Sequence, residues 1–272
     1  MRLAWTTDIH LNFCKQGVRE RFLRSLSESA DAVAISGDIA ESHNVEAYLT
    51  QMEDHLQRPI FFVLGNHDFY RGSILETRTA ITRLADQSSR LVYLSTAKVV
   101  ELSSKTAIVG HDGWADARFG DFENSNVMLN DYRLIEELKR WRHDSSGPRE
   151  SLRRVLHDLG DEAAEHIDQA LAEATGRYDH VIVVTHVPPF REATWHQQQI
   201  SDDNWLPHFS CKAVGEVLLR AAKSNPGCQI LVLCGHTHGG GEAQPLENLR
   251  VLTGEAEYGC PEIQRILQIT CS

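Results

Sequence analysis

Short runs of branched apolar residues recur along the chain, and each run is about the length of one buried β-strand. The segments between the first runs show the spacing of amphipathic helices, with Val18, Phe22, Leu23 and Leu26 on one face and a similar pattern over residues 45–56. Strands that alternate with helices predict right-handed crossovers and a largely parallel sheet. The predicted strands cover residues 3–6, 32–36, 60–64, 107–110, 181–185, 230–234 and 251–253.

The C-terminal part of the chain departs from this alternation. A last strand is predicted over residues 263–270, and only the turn-prone segment 254–261 separates it from the strand before. That connection has no room for a long helix, so a purely parallel sheet is disfavoured. The pattern therefore predicts a layered α/β fold with mixed central β-sheets flanked by helices.

A charged segment, rich in Glu, Arg and Asp, occupies about residues 114–177. Two helices are predicted within it, near residues 131–142 and over 151–175, and the breaker segment 144–148 separates them. The second helix would place Leu152, Val155, Leu156 and Leu159 on one face. We predict a single domain over residues 1–272 with this segment as a helical insertion.

The bulk composition is that of an ordinary globular protein, with 42% hydrophobic and 24% charged residues. The longest apolar runs are far shorter than the roughly 20 residues that span a bilayer. The chain enters a predicted strand at once, without the basic and apolar regions of a secretory signal, so we expect a cytoplasmic location and no membrane partner. The six scattered cysteines form no CxxC pair and fit reduced thiols.

The net charge of −11 bears on the partners of the protein. Long nucleic acids are held by basic surfaces through counterion release, and the sequence contains no basic stripe, so such a partner is disfavoured. A small phosphorylated substrate remains compatible, because bound divalent cations can invert the local field in an acidic protein. The oligomeric state stays open.

Metal-capable side chains follow five of the predicted strands. Ligands of open α/β sheets bind beyond the carboxyl ends of the strands, so these side chains are expected to converge although they are far apart in sequence. The glycines before Asp38, Asn66 and His236 permit tight turns and close backbone approach. The five groups are Asp8 with His10, Asp38, Asn66 with His67 and Asp68, His186, and His236 with His238.

In order along the chain these groups spell D-x-H, GD, GNHD, H and GHxH, which resembles the signature of the calcineurin-like metallophosphoesterases. The resemblance implies a metallophosphoesterase-type fold and two divalent metal ions with Asp38 as the bridging ligand. It implies that His67 contacts phosphate and protonates the leaving oxygen, and that Asp68 orients His67. The implied ligands are Asp8, His10, Asp38 and His238 for one metal, and Asp38, Asn66, His186 and His236 for the other.

The predicted chemistry is hydrolysis of a small phosphodiester or phosphomonoester. Carboxylate, amide and imidazole ligands suit Mn²⁺, Fe or Zn²⁺ better than Mg²⁺ or Ca²⁺. Two such ions, roughly 3.5–4 Å apart, clamp a phosphoryl group and generate a metal-bridging hydroxide that attacks phosphorus. Asn66, His67, His111 and Asp112 are the candidate substrate-binding residues, the last two because they follow the predicted strand 107–110.

Three other functions are less consistent with the sequence. A protein serine/threonine phosphatase is disfavoured because the GDxVDRG motif of those enzymes is replaced by Gly37-Asp38-Ile39-Ala40-Glu41-Ser42. A nuclease of the same superfamily is disfavoured by the acidic charge. A non-catalytic scaffold or binding module would be expected to lack a ligand or His67, and all are present. Trp195, His196, Trp205 and His208 could line the mouth of the site or simply pack in a loop.

Overall fold

The computed structural model describes residues 1–139 and 147–270. Its strands are β1 (Arg2–Thr6), β2 (Ala32–Ser36), β3 (Ile60–Val63), β4 (Leu91–Tyr93), β5 (Val100–Ser103), β6 (Thr106–His111), β7 (His180–Thr185), β8 (Trp195–His196), β9 (Gln199–Ile200), β10 (Gln229–Cys234), β11 (Gly241–Leu246), β12 (Leu249–Thr253) and β13 (Arg265–Gln268). Its helices are α1 (Gln16–Ser29), α2 (Val45–Leu56), α3 (Ile74–Asp86), α4 (Asp131–Leu134), α5 (Glu136–Lys139), α6 (Pro148–Ala174), α7 (Leu206–Phe209) and α8 (Lys212–Ser224).

Two large mixed sheets form the centre of the molecule. The first has the strand order β13-β1-β2-β3-β4, in which only β13 is antiparallel to its neighbour. The second has the order β11-β12-β10-β7-β6-β5, with a parallel centre and an antiparallel strand at each edge. The hairpin β8-β9 stands apart from both sheets. The prediction of mixed sheets is confirmed.

The two sheets face each other and are covered by helices on their outer faces. Successive side chains of a strand point to opposite faces, so Leu3 and Trp5 of β1 pack between the sheets while Ala4 packs toward the helices. Phe61 and Phe62 of β3 divide in the same way. Because both faces of these strands are buried, their sequences are continuously apolar instead of alternating.

The predicted elements agree with the structure where the strands are buried. The seven strands predicted between residues 3 and 253 are all present, and α2 has the bounds that its pattern indicated. The further strand predicted over residues 263–270 is shortened to β13. The helix predicted near residues 131–142 is instead the two short helices α4 and α5, separated at Ile135. Residues 140–142 of that prediction, and 144–146 of the predicted breaker, lie outside the described residues.

The long helix α6 belongs to both outer cores. Leu152 and Leu156, near its start, pack in the cluster that contains α1, α2 and α3. Ile167 and Leu171, near its end, pack in the cluster that contains α8 and the second sheet. The helix therefore serves as the crossover from β6 to the parallel strand β7 and does not lie apart from the sheets. Within the described part of the chain, no helix is both long and apolar enough to cross a membrane.

Candidate metal centre

The candidate ligands lie at the carboxyl ends of parallel strands from both sheets. The first sheet contributes the side chains that follow β1, β2 and β3, and the second contributes those that follow β7 and β10. Backbone hydrogen bonds join the loops: Asp8 N donates to Gly37 O at 3.0 Å, and Gly235 N donates to His186 O at 2.9 Å. The site therefore lies on the seam between the two sheets. The sequence pattern predicted that these side chains would meet at the carboxyl ends of strands, but it did not predict that the strands belong to two sheets.

One group of donors consists of Asp8, His10, Asp38 and His238, whose candidate ligand atoms all lie within 4.8 Å of one another. His10 Nε2 is 3.3 Å from His238 Nε2 and 3.7 Å from Asp38 Oδ2. His238 Nε2 is 3.4 Å from Asp8 Oδ1. Burial lowers the pKa of His10 to about 3, so its ring is neutral and offers a lone pair.

A second group of donors surrounds Asn66. Its Oδ1 lies 2.9 Å from His186 Nε2 and 2.9 Å from His236 Nδ1. His186 Nε2 is also 3.4 Å from Asp38 Oδ1. Asp38 thus directs Oδ1 toward this group and Oδ2 toward the first, which is the geometry that a bridging carboxylate requires.

The outer nitrogens of His186 and His236 determine what the inner nitrogens can do. His186 Nδ1 donates to Ser36 O at 2.8 Å, and His236 Nε2 donates to His208 O at 3.0 Å. A carbonyl only accepts, so each outer nitrogen carries the proton and each inner nitrogen of the neutral ring is an acceptor. Burial lowers the pKa of both rings, that of His236 to about 4, which keeps them neutral.

The orientation of Asn66 completes this group. Its Nδ2 donates to Asp131 Oδ1 at 2.9 Å, and Tyr70 OH donates to the same oxygen at 2.7 Å. Asn66 Oδ1 therefore faces the two imidazole acceptors. Acceptors that face one another in a buried site have no partner among themselves, and a divalent cation is the group that satisfies them all. The donor set fits a metal.

Electrostatics at the Asp38 carboxylate support the same fit. Burial, followed by the nearby carboxylates of Asp8 and Asp68, raises the pKa of Asp38 well above its ordinary range. Burial also opposes ionisation of Asp8, but the hydrogen bond from His238 and the neighbouring imidazoles outweigh it and lower the pKa of Asp8. Crowded carboxylates of this kind are stabilised as anions by a bound cation.

Backbone strain is concentrated at the candidate ligands. Five of them have left-handed φ values between 39° and 72°, a conformation that non-glycine residues rarely adopt. Strained residues persist where the surrounding structure holds them, and they are typical of functional sites. The five are Asp8, His10, Asp38, His236 and His238.

Two glycines in these loops are required by close packing. A Cβ on Gly65 would lie 2.2 Å from Asp38 Oδ1, and a Cβ on Gly235 would lie 2.0 Å from Asp8 Oδ2. Neither distance is compatible with a side chain. The close approach that the sequence suggested for the glycines before Asn66 and His236 is therefore present, and each glycine leaves room for a carboxylate.

His67 lies at the open edge of the site. Its ring stacks on Tyr70 at 4.2 Å and lies 4.6 Å from His10, and its Nε2 is 3.4 Å from Tyr258 OH. Burial, followed by the nearby His10, lowers the pKa of His67 to about 2. Without a bound substrate, the His67 ring is therefore neutral.

The expected role of Asp68 requires a correction. Its carboxylate accepts hydrogen bonds from the backbone N–H groups of Ile39, Ala40 and Gly65 at 2.7–2.9 Å. Within the described residues it makes no hydrogen bond to the His67 ring, because the 3₁₀ turn Asn66–Phe69 directs it back toward the loop after β2. Asp68 joins the loops of Asp38 and Asn66 and does not orient His67.

The two substrate-binding candidates at the end of β6, His111 as its last residue and Asp112 directly after it, also require a correction. Asp112 is fully buried, and its oxygens accept from Leu64 N, Ser95 Oγ, Tyr93 OH and Arg78 Nε at 2.6–2.9 Å. His111 is buried with its ring 5.2 Å from that of His166. Because neither side chain is open to solvent, we assign both a structural role and no contact with substrate. Asp112 anchors the end of β3, directly before Gly65 and Asn66.

The aromatic residues after Pro189 lie behind the second group of donors. Trp205 stacks on Phe209, whose ring lies 5.3 Å from that of His236. His208 is buried, with Nε2 2.9 Å from Ser125 Oγ and Nδ1 2.6 Å from Tyr132 OH. His208 therefore packs and positions His236 through its carbonyl instead of lining the mouth.

Sequence patterns missed several residues that complete the site. Asp131 and Tyr70 fix Asn66, and Phe13 and Tyr258 form a ring contact at 5.0 Å beside His10. None of the four belongs to a recognisable motif. Tyr70 and Phe13 lie near a motif in the chain, four residues after Asn66 and three after His10. Tertiary folding brings only Asp131 and Tyr258 to the site from distant parts of the chain.

Comparison with known proteins agrees with this geometry. A family model described as calcineurin-like phosphoesterase matches residues 1–240. A phosphopantetheinyl hydrolase from Mycobacterium tuberculosis superposes with a TM-score of 0.62 at 15% identity, over 94% of this chain and 89% of that one. A dimetal phosphatase from Danio rerio gives 0.58 at 15% identity, over 94% and 87%. These superpositions show that the chain shares its fold with both proteins, and this is the predicted metallophosphoesterase-type fold. No curated protein sequence matches the chain significantly.

Proposed function

Because the chain belongs to the calcineurin-like phosphoesterase family, we propose that it hydrolyses a small phosphodiester or phosphomonoester at a two-metal centre. The observation that carries the proposal is the set of buried acceptors facing one another around Asp38. His186 and His236 have their protons fixed on the outer nitrogens, and Asn66 has its amide fixed by Asp131. This arrangement is unfavourable without cations and favourable with them.

We assign the ligands as two groups that share Asp38. Asp8, His10, Asp38 and His238 would hold one divalent cation, and Asp38, Asn66, His186 and His236 would hold the other. Mixed oxygen and nitrogen donors suit Mn²⁺, Fe or Zn²⁺. Two cations at this site would neutralise phosphoryl charge and lower the pKa of a water held between them.

His67 would act on the leaving side of the substrate. Its neutral ring can bind a phosphate oxygen through an N–H, and its Nε2 faces the open edge beside Tyr258. The negative charge of a bound phosphoester raises the pKa of an adjacent imidazole. Protonation of the leaving oxygen by His67 therefore follows substrate binding, and it matters most for a poor alkoxide leaving group.

The substrate is proposed to be small. The acidic chain carries no basic stripe for a long nucleic acid. The phosphopantetheinyl hydrolase among the similar structures places phosphopantetheine esters among the compounds to test. The cytoplasmic location and the single domain over residues 1–272 stay predictions from the sequence.

The first experiment measures hydrolysis of bis-p-nitrophenyl phosphate and p-nitrophenyl phosphate with Mn²⁺, Fe²⁺, Co²⁺, Ni²⁺ or Zn²⁺ supplied singly. We expect metal-dependent release of p-nitrophenol. Asp38→Asn should abolish activity and reduce the bound metal at both positions, because one carboxylate serves both. Asp54→Asn, an exposed change on α2, is the matched control and should leave both quantities unchanged. No hydrolysis of either ester with any metal would overturn the proposal.

A further inference from the structure

Two exposed aromatic side chains contact each other beside the metal centre. Among the described residues, the large hydrophobic side chains that remain exposed are Phe13, Leu75, Met128 and Tyr258. Phe13 is 51% exposed and Tyr258 48%, yet their rings meet edge to face at 5.0 Å. Exposed apolar groups that cluster, unlike scattered ones, mark binding surfaces. We name Phe13 and Tyr258 the aromatic wall.

The aromatic wall lies at the edge of the site that His67 occupies. The Tyr258 ring is 4.6 Å from that of His10 and 5.0 Å from that of His238. Its hydroxyl lies 3.4 Å from His67 Nε2. A phosphoester bound at the metal centre, with its leaving oxygen toward His67, would therefore extend its organic group along the wall.

The wall is held in place before any ligand arrives. Ala256 N donates to His238 O at 3.4 Å, which ties the loop of Tyr258 to a candidate ligand. The side chain of Gln264 closes the same loop, because it accepts from Glu255 N at 2.9 Å and donates to Glu255 O at 2.8 Å. Phe13 ends a 3₁₀ turn that starts directly after His10. Fixed rings bind with a smaller loss of conformational entropy.

Charge restricts what can lie against the wall. Glu257, the residue before Tyr258, is exposed, and so are Glu255 and Glu262 on the same loop. Such a loop disfavours a second phosphate or a carboxylate on the organic group. It favours an uncharged or cationic group that donates hydrogen bonds.

We propose that the aromatic wall is a subsite for a planar aromatic group, uncharged or cationic, on the leaving side of the substrate. An aryl ring or a nucleobase has this chemistry, because each presents a flat π face to Tyr258 and Phe13. The inference rests on the proposed function, since it concerns the organic part of the phosphoester hydrolysed there. It narrows the substrate class to aromatic phosphoesters over aliphatic ones.

The test compares two non-hydrolysable ligands that differ only in ring character, benzylphosphonate and cyclohexylmethylphosphonate. Their dissociation constants are measured by calorimetry on the Mn²⁺-loaded protein. We expect the benzyl compound to bind about five- to tenfold more tightly, since aromatic pairing adds this much beyond burial of equal area. Equal affinities, or no binding of either compound, would overturn the proposal.

Variants then assign the preference to the wall. Tyr258→Leu and Phe13→Leu should each reduce the ring preference toward one, and Tyr258→Phe should retain it because the ring remains. Leu75→Ala removes an exposed hydrophobic residue on α3 and should retain the preference fully. A preference that survives Tyr258→Leu in a protein with unchanged thermal unfolding would assign Tyr258 to packing of His10 and His238 alone.

The two proposals fail in different ways. Ring preference without hydrolysis of either p-nitrophenyl ester would contradict the proposed function and leave the subsite supported. Hydrolysis of these esters without ring preference would contradict the subsite and leave the proposed function supported.

Discussion

The acceptor atoms of the candidate centre are selected by residues that would touch neither metal nor substrate. Ser36 O and His208 O fix the protons of His186 and His236, and Asp131 fixes the amide of Asn66. Partners of this kind set tautomer, orientation and basicity of metal ligands. The ligand motifs therefore contain only some of the residues that determine the geometry of this site.

Removal of the Asp131 carboxylate tests whether a residue outside the ligand set controls the candidate ligand Asn66. Asp131→Ala leaves Asn66 Nδ2 and Tyr70 OH without their shared acceptor. We expect kcat/KM, or the metal affinity, to fall about 10- to 100-fold. Any loss of metal affinity should be confined to the position held by the Asn66 group. Metal content by mass spectrometry and kcat/KM are the measurements. Full loading with wild-type kcat/KM would show that Asn66 needs no fixing, and Asp54→Asn serves again as control.

His67 is tested through the leaving group. His67→Asn should slow turnover by about 10²- to 10⁴-fold for alkyl esters, with less effect on p-nitrophenyl esters, because a stable leaving anion needs no proton. Both metals should stay bound, since His67 belongs to neither ligand group. The measurement is the slope of log kcat against leaving-group pKa. Identical slopes for wild type and variant would contradict a general-acid role.

At the scale of elements, the loops that follow the strands hold candidate ligands in left-handed backbone conformations. Glycines in these loops allow the close contacts that the ligands make. Gly65→Ala would place a methyl group on Asp38 Oδ1, so we expect loss of both metals and of activity while the sheets remain folded. Gly176→Ala is the matched control, because a Cβ there meets nothing within 4 Å. Metal analysis and far-UV circular dichroism report the two outcomes separately. A fully loaded Gly65→Ala protein would show that the loop can shift without cost.

The elements that could be predicted from the sequence are those whose environment is uniform. β1, β2, β3, β7 and β10 are buried on both faces, so their continuous apolar runs are recognisable, and the candidate ligands that follow them lie close together in the structure. The edge strands are different. β5 and β11 are only partly buried and mix polar with apolar residues, so their pairing depends on a neighbouring strand that local patterns do not contain.

The supporting residues could not be predicted for a related reason. Asp131 lies in a charged segment where one more acidic residue carries no signal, and it reaches Asn66 only through the packing of α4 against the turn Asn66–Phe69. Asp68 and Asp112 carried misleading signals. Each follows a histidine near a strand end. Tertiary structure directs the Asp68 carboxylate onto backbone N–H groups, and the Asp112 carboxylate onto Leu64 N and side-chain donors such as Tyr93 OH.

For the whole molecule, the candidate centre is a connection between the two sheets. Asp8, His10, Asp38 and Asn66 come from loops of the first sheet, and His186, His236 and His238 come from loops of the second. A cation shared by both sets binds only the folded arrangement, so it stabilises the fold by mass action, about 2.7 kcal/mol when free metal is 100 times its Kd.

Metal removal should therefore lower the thermal stability of the whole chain. For a protein of this size we expect chelation to reduce Tm by on the order of 5–10 °C, and readdition of Mn²⁺ or Zn²⁺ to restore it. Asp38→Asn should show a much smaller change on chelation. An equal shift in wild type and variant would mean that the stabilising ion binds elsewhere.

The central claim, that Asp38 joins two cation sites on the seam, is tested most directly by anomalous diffraction from crystals of the Mn²⁺-loaded protein. The account predicts two anomalous peaks about 3.5–4 Å apart on either side of the Asp38 carboxylate. One peak should be contacted by Asp8, His10 and His238, and the other by Asn66, His186 and His236. A single peak, or peaks away from Asp38, would contradict it.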